Sequence, residues 1–229
     1  MTYEMMFVAC ANTPASGFSE DAAPKRKLSN IVLVEQPRGS LLCGAACIKM
    51  AENYFFNESN TLDYIFDQVS LVSVRGRKYN ATYKMGSYLE NRDLLTSIVK
   101  FSNLKKVLDY CEANQIPALM NIQDVSNPLL GHFIVFAGYN SKTDLITVRD
   151  PLDPGRKTIK YNDLEKSFVK TSSMSELGGN TMVIPNDIMI NKLDFLCGYC
   201  GKNNVIDGEM LSGVMGLICN NCDHYVSVR

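Results

Sequence analysis

Tryptophan is absent from this chain of 229 residues, and histidine occurs only twice, at His132 and His224. Any chemistry that needs an imidazole therefore has two positions to choose from. Charge of either sign is in short supply as an excess: 23 basic residues face 24 acidic ones, for a net charge of -1. The basic runs Lys25-Arg26-Lys27, Arg75-Gly76-Arg77-Lys78 and Lys105-Lys106 are short and far apart. They form no stripe that would track a nucleic acid or an anionic membrane, so nucleic acid is not expected as a partner. Long apolar runs are also missing, and none reaches the about 20 residues that a membrane-spanning helix requires. The segment Met5-Met6-Phe7-Val8-Ala9-Cys10 has the look of a lipoprotein cleavage box but lacks a basic leader and a full apolar region.

What the chain does have is 46% hydrophobic content, enough for one core of ordinary size plus a small appended module. Residues 1–30, with Pro14, Gly17 and Pro24 among small and polar neighbours, are expected to be a flexible arm. The main domain then runs over 31–170, a linker with one last strand over 171–191, and a small module over 192–229. Eight cysteines could mean disulfides, but four of them fall into two Cys-x-x-Cys pairs. Reduced thiols are the better expectation, which fits the cytoplasm or another reducing compartment; a secreted effector is the second option.

Ile31-Val32-Leu33-Val34 predicts a strand ending at Pro37, followed by turn residues Arg38-Gly39-Ser40 and a helix from Gly44 to Phe55. Cys43 therefore sits at a helix start. Unpaired backbone N–H groups and the positive end of the helix dipole favour an anion there, so this thiol is placed to act as a thiolate. Cys47, one turn further on, and Cys10 and Cys111 have no such setting and are expected to be structural.

Further helices are expected at Leu62–Val69, Tyr88–Phe101 and Leu104–Asn114. Ala118–Ile122, His132–Tyr139 and Leu145–Arg149 predict strands, the last two joined by the turn Asn140–Asp144. If that turn centres near Lys142, antiparallel pairing brings Asp150 opposite a position within two residues of His132. A carboxylate then neighbours the imidazole. A thiol, an imidazole and a carboxylate in that chain order, with Gln36 ahead of the thiol, are the parts of a papain-type hydrolase.

On these residues the sequence resembles the bacteriocin-processing, papain-like cysteine peptidases that remove double-glycine leader peptides. The stretches that carry the likeness are Gln36 to Tyr54, Gly131 to Tyr139, Val148-Arg149-Asp150-Pro151, Gly155 and Ile159 to Phe168. Gln36 lies one residue further from the thiol than is usual there, and Leu42 takes the place of a common aspartate. The resemblance implies an α+β papain-like fold, with an N-terminal helical part and an antiparallel sheet. It implies Cys43 as nucleophile, His132 as general base and acid, Asp150 as the orienting carboxylate and Gln36 as an oxyanion donor. The substrate would be a peptide or protein. An inactive adaptor on the same fold and an acyltransferase of transglutaminase type are the competing functions.

Near the end, Cys197-Gly198-Tyr199-Cys200 and Cys219-Asn220-Asn221-Cys222 form two knuckles a hairpin apart, the spacing of a zinc ribbon. Four thiolates close the coordination shell, so the zinc would be structural; His224 is not needed as a ligand. With Lys192, Lys202 and Arg229 as its only cations, the ribbon is expected to contact protein or position substrate. Met174-Ser175-Glu176-Leu177-Gly178-Gly179 is similar to the end of a double-glycine leader, which raises self-cleavage after Gly179 as a further expectation.

Overall fold

The computed structural model describes residues 26–123, 131–168 and 179–228. Its helices are α1 (Cys43–Phe56), α2 (Leu62–Val69), α3 (Thr82–Glu90), α4 (Leu104–Ala113) and α5 (Tyr161–Ser167). The strands are β1 (Ser70–Val72), β2 (Lys78–Asn80), β3 (Leu95–Phe101), β4 (Ala118–Gln123), β5 (Gly131–Asn140), β6 (Leu145–Arg149), β7 (Thr158–Lys160), β8 (Thr181–Asn186), β9 (Lys192–Leu196), β10 (Asn203–Asp207), β11 (Val214–Ile218) and β12 (Tyr225–Ser227). None of the described helices is long and apolar enough to cross a membrane.

Eight strands make one antiparallel sheet in the order β12-β11-β3-β8-β4-β5-β6-β7. Its middle strands are buried at almost every residue rather than at alternate ones, so both sheet faces are covered. Helix α1 packs on β5 and α3 on β3. Ile48, Met50 and Ala51 of α1 enter one continuous core with Phe136, Ile98 and Val183 of the sheet. This is an α+β fold, with the helices packed on a large antiparallel sheet.

Two expected elements are corrected. Tyr88–Phe101 is not one helix: α3 stops at Glu90, and Asp93 takes the left-handed conformation (φ 62°) that turns the chain into β3. Thr96, Ile98 and Val99 then favour a strand because their branched side chains are stiff and pack well on a pleated surface. Ile31–Val34 is extended but joins no sheet. Arg149 holds that segment instead, its Nε donating to the Ile31 carbonyl at 2.9 Å. Just before it, Leu28–Asn30 forms a 3-10 turn with Leu28 buried. Arg26 pairs with Asp187 at 2.7 Å.

The C-terminal segment is woven into the sheet instead of standing apart. Strand β8 lies between β3 and β4, and β11 extends the sheet on the far side of β3. Pairing of β8 with β4 stops at Leu119↔Val183. Its continuation would set Pro185 against Pro117, two residues without an N–H to offer. Residues 1–25 and 174–178, which carry the lipoprotein-like box and most of the leader-like segment, lie outside the described residues.

Candidate active site

Helix α1 begins at Cys43 with Leu42 at its N-cap position, and no side chain caps it. Helices α2 and α4, by contrast, are capped: Thr61 accepts from the Tyr64 N–H and Asn103 from the Lys106 N–H. The α1 start also carries no acidic residue in its first turn. Its orphan N–H groups are therefore left for an anion held by Cys43 itself. Cys43 is buried, with 8% of its surface exposed.

His132 opens β5 and pairs with Ile122 of β4. The β5–β6 hairpin aligns Val135 with Arg149, so Asp150 continues opposite Ile134, two residues from His132. That is the juxtaposition the turn predicted, reached in spite of a bulge between Phe136 and Gly138. His132 Nε2 lies 2.7 Å from Asp150 Oδ1, and both residues are buried, at 5% and 1% exposure. Cys43 is close enough to the ring to favour its protonated form. Thiol, imidazole and carboxylate are thus contiguous.

Asp150 is fixed on both oxygens. Oδ1 also accepts from the Leu152 and Asp153 N–H groups at 2.9 and 3.2 Å, and Oδ2 faces Arg156 Nη1 at 3.0 Å. Burial pushes its carboxyl upward, but the His132 hydrogen bond and charge, together with the two backbone donors, outweigh this and leave it below the ordinary range. For His132, burial opposes the charged ring, while hydrogen bonds to Asp150 and Cys43 favour it and raise its pKa to about 9. The site is built to hold an imidazolium. Cys47 is the contrast: complete burial, then the nearby Cys43 and Asp150, push its thiol well above the ordinary value.

Gln36 is brought close to this group through its backbone, whose N–H donates to the Pro151 carbonyl at 3.0 Å. Its side-chain Nε2 donates to the Ser40 carbonyl at 3.1 Å, within its own loop. Two side chains at the site escaped the sequence. Arg156 could have been suspected only as a charge six residues beyond Asp150. Asn80, at the end of β2, reaches Cys43 Sγ at 3.8 Å from a distant hairpin. The sole hint of it was Gly44, since a Cβ there would come within 2.7 Å of the Asn80 side chain.

The four knuckle cysteines converge at a second site. All their sulfur atoms lie within 4.8 Å of one another, with Cys197–Cys222 at 3.7 Å and Cys200–Cys219 at 3.6 Å. Tetrahedral thiolate ligands about 2.3 Å from a metal sit about 3.8 Å apart, so the set can bind a metal ion. The knuckles repeat one another in backbone detail. The first cysteine's N–H meets the carbonyl five residues on, from Cys197 to Lys202 and from Cys219 to His224, both at 2.8 Å. Gly201 and Asp223 are left-handed at equivalent places, with φ 73° and 64°. His224 is not among the four: its Nδ1 lies 3.1 Å from the Cys222 carbonyl, and its ring stacks on Tyr199 at 3.7 Å.

The chain matches the Peptidase_C39 like family over residues 28–176. Two solved structures share its fold. The peptidase domain of Streptococcus ComA, a bifunctional ABC transporter involved in quorum sensing, is 13% identical with a TM-score of 0.50. The match covers 68% of this chain and 98% of that one. A C39-like peptidase from Bacillus anthracis is 13% identical with a TM-score of 0.51, over 71% of this chain and 98% of its own. No curated protein matches the chain.

Proposed function

Because the chain belongs to the Peptidase_C39 like family and is a cysteine-type peptidase acting on peptides, we propose that Cys43, His132 and Asp150 are its catalytic triad. What supports this is the buried 2.7 Å hydrogen bond between His132 and Asp150, with Cys43 beside the ring and favouring its protonated form. In the reaction, Cys43 passes its proton to His132, and the thiolate attacks the peptide carbonyl. Asp150 holds the ring in orientation and balances the imidazolium, with Arg156 keeping that carboxylate ionised and aimed. The Cys43 backbone N–H and a Gln36 amide N–H receive the oxyanion. His132 then protonates the leaving amine, and water attacking the thioester carbonyl, with His132 taking its proton, releases the acid and restores the thiol.

We read the four-cysteine site as a structural zinc ribbon. Two thiolate pairs leave no coordination position for water or substrate, so zinc would supply folding energy to the knuckles and take no part in the hydrolysis. The exposed Leu196 and Tyr199, the latter stacked under His224, are the surface by which the ribbon would meet a protein or substrate.

The triad is tested by alkylation with iodoacetamide under reducing conditions, mapped by peptide mass spectrometry. The expected result is rapid labelling of Cys43 at pH 6, lost in Cys43→Ala and much slower in His132→Ala, with Cys47 unlabelled throughout. Equal rates in wild type and His132→Ala would remove His132 from the site.

A further inference from the structure

The hairpin β1–β2 stands outside the main sheet and is closed at its base by the Ser70↔Asn80 pair and by the Ala81 N–H on the Val69 carbonyl, 2.9 Å. Its two ends are thereby held between α2 and α3. The last residue of that hairpin, Asn80, lies against the start of α1. Its Nδ2 donates to the Leu41 carbonyl at 2.8 Å and lies 3.8 Å from Cys43 Sγ. The Leu41 carbonyl decides which way the amide faces, since only the nitrogen end can donate to it. The same nitrogen, with its second hydrogen, is therefore the end presented to the sulfur. Gly44 leaves the room: a Cβ at that position would meet Asn80 Cγ at 2.7 Å and Cβ at 2.9 Å.

We propose that Asn80 is a further catalytic residue beyond the triad and Gln36, whose side-chain amide donates to the Cys43 sulfur and stabilises it as the thiolate. The inference rests on Cys43 being the nucleophile. A thiol is a poor acceptor and a thiolate a good one, so the Asn80 donor gains most when the proton has moved to His132. The helix start offers its backbone N–H groups from one side, and Asn80 offers a side-chain donor from the other. By fixing Leu41 through the same nitrogen, Asn80 also holds the backbone immediately ahead of the nucleophile. A hydrogen bond to a charged group is worth about 1.5–3 kcal/mol, corresponding to a roughly 10- to 100-fold effect on rate.

The test compares wild type with Asn80→Asp and Asn80→Ser on one cleaved peptide, and on iodoacetamide alkylation of Cys43 as a function of pH. Asn80→Asp keeps the shape, removes both donors and sets a carboxylate beside the sulfur. It is expected to lower kcat by about 10- to 100-fold with KM little changed, and to move the alkylation profile to higher pH. Asn80→Ser, short of the sulfur, should lower kcat by a similar factor without the added charge shift. Wild-type kcat and an unmoved alkylation profile in Asn80→Asp would overturn the role of Asn80 while leaving the triad intact. A wild-type Cys43 that resists alkylation would instead overturn the triad, a distinct outcome.

Discussion

At the scale of single residues, His132 and Asp150 stabilise each other only while both are charged, and this gives the site a pH signature. His132 is raised to about 9 in the folded chain, from an ordinary 6.5, so its contribution is complete below pH 6.5 and is lost as pH rises through 9. Asp150 is held below its ordinary 3.8, so its contribution is present above that value and is lost as pH falls further. Between these limits the pair should add most to stability. The difference in Tm between wild type and His132→Gln is expected to be widest near pH 5–6 and to narrow steadily toward pH 9–10. A gap that widens with pH over that window would contradict the imidazolium assignment.

At the scale of elements, the knuckles do more than close on themselves. Asn220, between Cys219 and Cys222, donates through Nδ2 to Glu90 Oε1 at 2.7 Å and to the Thr96 carbonyl at 2.8 Å. This ties the second knuckle to the end of α3 and to β3. Chelation is therefore expected to raise amide exchange first in β9, β10 and β12, then at the end of α3, with α1 and β5 slower to follow. Uniform protection of the knuckles with and without chelator, read by hydrogen-exchange mass spectrometry, would show that no metal supports them. How far the sequence reveals these elements depends on what specifies each one. Helix α2 is legible to the residue because Leu62, Ile65 and Val69 keep helical spacing and Thr61 caps it. The β5–β6 hairpin is legible because Asn140–Asp144 is turn-forming and its flanks are β-branched. Strand β3 is hidden: it is buried on both faces, so no alternation betrays it, and Leu94, Ile98 and Phe101 also keep helical i, i+4, i+7 spacing. The candidate residues within one motif or one hairpin, Cys43, His132 and Asp150, follow from spacing. Asn80 does not, because it reaches Cys43 only through the packing of a separate hairpin.

At the scale of the whole molecule, the family match ends at residue 176, yet β8, beyond it, fills the gap between β3 and β4. The peptidase sheet is thus completed by the same C-terminal segment that carries the four cysteines. Helix α1 is held across this assembly by a buried carboxylate: Glu52 accepts from Tyr88 Oη at 2.8 Å and from the Asn60 N–H at 3.1 Å, and it forms an ion pair with Arg92, whose Nε lies 3.2 Å away. Those partners fix the α1 axis from its middle, while β5 supports its flank, so the thiol at the N-terminal end of α1 lies near the imidazole at the start of β5. The proposed nucleophile and base are thus carried by different layers of one fold. The most direct measurement is digestion of a diverse peptide mixture by wild type and by Cys43→Ala, read by mass spectrometry. The account predicts new termini with wild type and none with the variant. Identical termini from both proteins, or none from either under reducing conditions, would contradict it.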